Sequence, residues 1–210
     1  MDELLGIITR SIIISGTATL LASTWSIPLA YKLSRGTSTG YVRSILEALV
    51  GIPTVLIGLL LYMILCSQCP LGFLGILYTP IAIVIGEAVL VTPLITAVSL
   101  YEITRISGRY GELALSLGAS DRQVMEVVLK YSLPGIIGAL LMGFSRAIGE
   151  LGVALIVGGN IKGYTRVLTT AIALEVSRGE YEEAILLGLL LLLIVAVIAV
   201  GLRLIRGGKD

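Results

Sequence analysis

A chain of 210 residues with 56% hydrophobic and only 14% charged residues, at a mean hydropathy of +1.01, has too little polar surface for a soluble globule of its size; it belongs in a lipid bilayer. A net charge of +1, without a basic cluster interleaved with aromatics, excludes a nucleic-acid partner. With no histidine and only two cysteines, a zinc site within one chain lacks ligands.

A helix needs about 20 apolar residues to cross the hydrocarbon core, and five runs reach that length. The predicted fold is therefore an all-α integral membrane helical bundle. The first run, about Leu5 to Leu33, is long enough to tilt or to begin in the interface. Asp2 and Glu3 give it an acidic start, and no small-residue cleavage site follows a short apolar core, so it is expected to remain in the mature protein. The second run, Ser44 to Cys66, leads into Cys66-Ser67-Gln68-Cys69-Pro70. Two loop cysteines without a bond are the default reading there, and a disulfide within or between chains is the alternative. The third run, Thr79 to Tyr101, carries Glu87, a lone carboxylate that can bond a neighbouring helix and is read as structural.

Between the third and fourth runs, from about residue 102 to 133, lies a polar element. Tyr110 to Leu117 favour helix, Gly118 can take the left-handed turn that stops it, and Ser120 and Gln123 have capping-box spacing. Beyond them Val124, Val127, Val128 and Tyr131 recur at three and four residues, with Arg122, Glu126 and Lys130 opposite. Two short amphipathic helices joined at Gly118 are expected. Such an element between membrane spans presents one free face to something soluble; an ordinary interfacial helix pair is the plainer alternative.

The fourth run, Pro134 to Val157, holds two features. Gly135, Ala139, Gly143 and Ala147 form a small-residue ribbon on which a helix of the same chain, or a second copy, can approach closely. Arg146 and Glu150, four residues apart, project from one face and can pair. A charge in hydrocarbon costs from about 3 to over 10 kcal/mol, so the pair is expected to face the protein interior or water. It either locks helices together or lies beside a translocation path or gate. Gly158-Gly159-Asn160 must then end the helix. A semi-apolar stretch from Thr169 to Ser177 precedes the last run, Glu183 to Leu204, and a short tail, 206–210. Lys162, Arg166 and Arg178 crowd this region, which suggests that it folds back into the protein.

Two stretches carry a family resemblance. Glu112, Ala114, Gly118 and Leu133-Pro134 resemble the cytoplasmic signature of the transmembrane subunit of type I ABC importers, with Leu113 in place of the middle alanine and Pro134 later than in the pattern. Gly158-Gly159-Asn160-Ile161-Lys162-Gly163 and Thr165 to Ile172 resemble permeases of oxyanion importers, tungstate permeases above all and molybdate permeases next. The resemblance implies one transmembrane domain over residues 5–205. Its coupling residues would be Glu112, Ala114, Gly118, Ala119, Ser120 and Asp121, and Arg146, Glu150, Gly159 and Asn160 would be path or gate candidates. It also implies a separate ATPase in two copies and an external oxyanion-binding protein that selects the anion. No cofactor is implied for this chain.

If the polar loop is cytoplasmic, ten Lys and Arg residues fall inside and four outside, with Arg146 within a span. This places the N-terminus outside and the C-terminus in the cytoplasm. Five helices are too few to enclose a gated path, so a two-fold dimer is the expected unit. A secondary transporter or channel would show internal repeats and several midplane carboxylates, and none are found beyond Glu87 and Glu150. A membrane enzyme lacks both histidine and a Gly-x-Ser-x-Gly turn, and no phosphate-binding Gly-x-x-x-x-Gly-Lys loop is present.

Overall fold

The computed structural model describes residues 2–36 and 39–206. Among these, the regular elements are all helical: α1 (Asp2–Ser34), α2 (Thr39–Val50), α3 (Thr54–Leu65), α4 (Pro80–Ile106), α5 (Glu112–Ser116), α6 (Asp121–Ile148), α7 (Gly152–Gly158), α8 (Leu168–Arg178) and α9 (Tyr181–Arg206). Four of the helical stretches are long and apolar enough to cross a membrane, and a fifth crossing is reached if α2 and α3 count as one broken span. Residues 207–210, most of the expected tail, lie outside the described residues.

Where the runs are uninterrupted, the expected spans and the helices agree to within a few residues. α1 absorbs its hydroxyls locally: Ser11 and Thr19 donate to the carbonyls of Ile7 and Ser15, four residues back, at 2.9 and 2.8 Å. α9 opens with Glu182 and Glu183 at the positive end of its dipole. α4 continues through a single π turn, Ser107–Gly111, into α5.

Four expectations are corrected. The second run is not one helix, because Gly51-Ile52-Pro53 interrupts it and leaves α2 and α3 with 12 residues each. The fourth span does not begin at Pro134. α6 starts at Asp121 and passes through that proline, which removes only one backbone bond, so the second helix of the polar pair is the first part of a 28-residue helix. The same run ends early as well: α6 stops at Ile148, and α7 begins only at Gly152. Finally, Cys66 and Cys69 are joined in a disulfide, against the default reading of unbonded loop residues.

The chain divides into two compact units. One comprises the described residues up to Thr19, Ile52–Leu90, and those from Phe144 on. Its core gathers Ile14, Ile57, Ile83, Leu90, Val153 and Val157 from α1, α3, α4 and α7, and a satellite cluster packs Ile7 against Leu168 and Ala171. Within it α3 and α7 meet through glycines: Gly58 lies against Ile156 and the Gly152 carbonyl, and a Cβ on Gly152 would come within 2.8 Å of the Thr54 hydroxyl. The other unit, Leu20–Gly51 and Val91–Gly143, is built on Ala30, Leu46, Leu100, Ile103, Val128 and Ile136.

Candidate functional site

The interruption between α6 and α7 is where the buried charge lies. Arg146 Nη1 donates to Glu150 Oε2 at 2.7 Å, and the two side chains are 36% and 3% exposed. The pairing follows the i, i+4 spacing, but Glu150 is not on the helix that carries Arg146. It sits in the break, where its other oxygen, Oε1, accepts the Val153 N–H in the first turn of α7 at 3.2 Å. Its backbone carbonyl accepts the Thr169 hydroxyl of α8 at 2.7 Å. One residue thus satisfies a cation, a helix start and a neighbouring helix. Glu87 is buried on α4, its Oε2 has no hydrogen-bond partner, and no hydrogen bond joins it to Ser15 of α1.

The second break lies beside the first. α3 starts after Pro53 without a side-chain cap, and Thr54 and Val55 lie against Gly152, two residues beyond Glu150. Two helix starts and an ion pair therefore share one place in this unit.

Gly159 and Asn160 fall elsewhere, separated from Glu150 by the length of α7, about 10 Å. Both adopt left-handed backbone, φ 70° and 51°, with Gly159 packed on the Tyr78 ring. The turn is closed by Thr165, whose hydroxyl donates to the Gly158 carbonyl at 2.6 Å and accepts the Ile161 N–H at 2.9 Å. Asn160 Oδ1 accepts Arg166 Nε at 3.1 Å, and Arg10 of α1 donates to the carbonyls of Arg166 and Gly163. Lys162 and Arg166 pair with Glu3 at 2.9 and 3.5 Å. Lys162 and Arg166 are thus taken up by α1 while Arg178 pairs with Glu175 of α8 at 3.0 Å, and the segment folds back onto the protein. Below it, Glu3, Ile7, Arg166, Glu175 and Arg178 line part of a cavity of about 440 Å³.

At Gly118, φ is 81°. The Ala119 N–H bonds the Ala114 carbonyl at 3.0 Å and the Gly118 N–H bonds that of Leu115 at 2.9 Å, the paired bonds of a Schellman end. The restart uses half of a capping box: the Gln123 side chain accepts the Ser120 N–H at 2.8 Å, while the Ser120 hydroxyl turns to Gln123 as well. Glu112 begins α5 and is exposed, and Asp121 begins α6 and pairs with Arg35 at 3.3 Å. Leu117, Gly118, Gln123, Glu126 and Lys130 line part of an open groove of about 540 Å³. Leu113, Leu115 and Leu117 are exposed around the turn, Leu117 by 79%.

The small-residue ribbon is used inside the chain. Ala139, Gly143 and Ala147 are buried, and a side chain at Gly135 would run into Glu102. Sequence reasoning missed the burial of Glu87 without a bond on Oε2 and the contact of Thr54 with Gly152. The pair of chain breakers Gly51 and Pro53 inside an apolar run was the available signal for the second. Nothing local announces the first. Among the described residues no group of His, Cys, Asp and Glu is gathered in a way that could hold a metal ion.

Residues 22–207 match the family model described as the binding-protein-dependent transport system inner membrane component. The tungstate uptake system permease protein TupB of Peptoclostridium acidaminophilum is 40% identical over 196 residues, covering 90% of this chain and 83% of that one. A probable anion ABC transporter permease protein of Haloferax volcanii is 33% identical over 213 residues, covering 97% and 91%. The molybdenum transport system permease protein ModB of Haemophilus influenzae is 29% identical over 175 residues, covering 76% of each.

Proposed function

We propose, from the premise that this chain belongs to the family of inner membrane components of binding-protein-dependent transport systems, that it is the permease of an ATP-driven importer for tungstate, with molybdate as the second oxyanion. The observation that carries the substrate is the likeness to a tungstate uptake permease over 90% of the chain. The family makes the protein a multi-pass membrane subunit that works with an ATPase and a binding protein. In our reading it is not itself catalytic: hydrolysis belongs to two copies of the ATPase, and the transporting unit is a dimer of this chain, with one transmembrane domain over residues 5–205.

Glu112, Ala114, Gly118, Ala119, Ser120 and Asp121 are the coupling surface. The exposed leucines around Gly118, on an otherwise polar turn, are the kind of apolar patch that a soluble partner covers. α4 is continuous with this turn through α5, so a push there is carried along one long helix, as rigid-body alternating access requires. The paired breaks at Gly51 to Pro53 and at Glu150 are the path. Interrupted helices at the middle of a membrane offer polar backbone to a charged solute, and Arg146 supplies a partly exposed cation that lowers the barrier for a dianion. Glu150 keeps that cation from holding the anion too tightly. Gly159 and Asn160 shape the turn that closes the same unit, and act on the path through α7. The N-terminus is placed outside and the C-terminus inside. The count of ten positive residues against four supports this, as does the Cys66–Cys69 disulfide one crossing before the Gly118 turn, since disulfides persist on the oxidising side.

The test is reconstitution in proteoliposomes with the partner ATPase and binding protein. ATP hydrolysis should rise when the binding protein is loaded with tungstate, and to a lesser extent with molybdate. A rise with an unrelated solute and none with either oxyanion would contradict the assignment.

A further inference from the structure

The cavity of about 440 Å³ beneath the Gly159 turn takes no part in the path described above, and its size is that of a small-molecule site. Its wall changes character with depth. α1 and α9 both open at this cavity, and both are long and apolar enough to cross the membrane. On α1 the lining residue Glu3 comes one turn before Ile7, and on α9 Glu183 comes one turn before Leu186 and Leu187. Charge therefore lies at the first turn of each span and an apolar wall about 5 Å deeper. The exposed Tyr181 marks the same level as the membrane interface. We infer that this cavity binds the headgroup of one phospholipid that carries a phosphate and a primary ammonium, with its acyl chains lying on the exposed Leu186, Leu189 and Leu193 of α9. Nothing in this depends on which anion the protein transports.

A soluble ion leaves the apolar wall wet, and an acyl chain alone strips water from charged side chains; an amphiphile does neither. The charges then select the headgroup. Lys162, Arg166 and Arg178 are balanced by Glu3, Glu175 and Glu183, so the lining attracts neither a dianion nor a purely anionic headgroup. Bonding capacity of both signs is left over. Glu3 holds Lys162 and Arg166 at 2.9 and 3.5 Å, and Glu175 holds Nη1 of Arg178 at 3.0 Å. Lys162 and Arg178 are still 70% and 56% exposed, with further N–H donors that a phosphate can take. The Glu183 carboxylate has no partner among the described residues, and it can accept from an ammonium. A choline has no N–H to give and is held by aromatic faces, none of which is among the described lining residues. The primary ammonium of a phosphoethanolamine headgroup fits what is left.

The experiment uses the full chain with its ATPase, reconstituted in equal parts of phosphatidylethanolamine, phosphatidylcholine and phosphatidylglycerol. After extraction into detergent, native mass spectrometry identifies the lipid that each chain retains. Phosphatidylethanolamine should exceed either other lipid by about tenfold, the ratio that one hydrogen bond to a charged group sets. Glu183→Gln breaks no bond of the fold and should bring the three lipids near parity, whereas Glu47→Gln, on an exposed carboxylate of α2, should leave the excess intact. No excess of phosphatidylethanolamine, an excess that survives Glu183→Gln, or one lost equally with Glu47→Gln overturns the site. Displacement of the retained lipid by inorganic phosphate alone would make the cavity a soluble-anion site. Displacement on adding the binding protein would assign it to a protein contact, and either result contradicts the inference.

Discussion

At Gly118 the chain reverses on an exposed surface, and at Glu150 it breaks inside a packed unit; the two places solve the same backbone problem with opposite means. Gly118 needs only neighbours in sequence: a residue without Cβ at φ 81°, two carbonyls already in reach, and a glutamine three residues past Ser120. Glu150 needs residues from three elements, Arg146 of α6, Val153 of α7 and Thr169 of α8, because water does not complete its bonds. A turn made locally is replaceable and cheap to disturb. A break made by tertiary contacts carries the stability of the elements it joins.

Glu150→Ala tests this difference most severely. It leaves Arg146 without its carboxylate and the start of α7 uncapped, and removing one partner of a buried pair costs about 3 to 5 kcal/mol. Thermal unfolding in detergent should show a loss near the lower figure, because Arg146 keeps some access to solvent. Adding Arg146→Ala should recover most of that loss. No recovery would mean that the Val153 cap, and not the pair, holds the break together. Next in size is Thr169→Val, which keeps the shape and removes the hydroxyl that serves the Glu150 carbonyl. A loss of about 1 to 2 kcal/mol by the same measurement is expected, and no loss would remove α8 from the account of the break. The smallest effect on stability is expected at Gly118. Gly118→Val should cost only about 1 kcal/mol or a little more, because a Cβ there meets open space and the strain is in φ alone. The protein should reach the membrane in normal amount, yet fail to stimulate its ATPase. Normal stimulation would cancel the coupling assignment.

The same contrast explains what the sequence discloses. The turn around Gly118 was legible because its residue types act on their own neighbours, and the membrane class and the regular helices α1 and α9 were legible from apolar length alone. The apolar run begins at Pro134, which sets the expected span start there, whereas the helix that begins at Asp121 passes through it. Arg146 and Glu150 were recognised as a pair, but on one continuous helix. The break between them depends on Val153 and Thr169 taking up the bonds that helix would have made, and no local pattern encodes that. The ribbon on α6 was a real packing surface, but spacing cannot tell whether the helix laid on it belongs to the same chain.

In our proposal the anion crosses at the break at Glu150, with Arg146 beside it. Tungstate uptake into proteoliposomes containing the Arg146→Ala, Glu150→Ala double variant with its ATPase and binding protein decides whether it does. With abundance and ATPase stimulation matched to the parent, uptake should fall by at least tenfold; uptake at the parental rate would assign the pair to packing and place the path elsewhere.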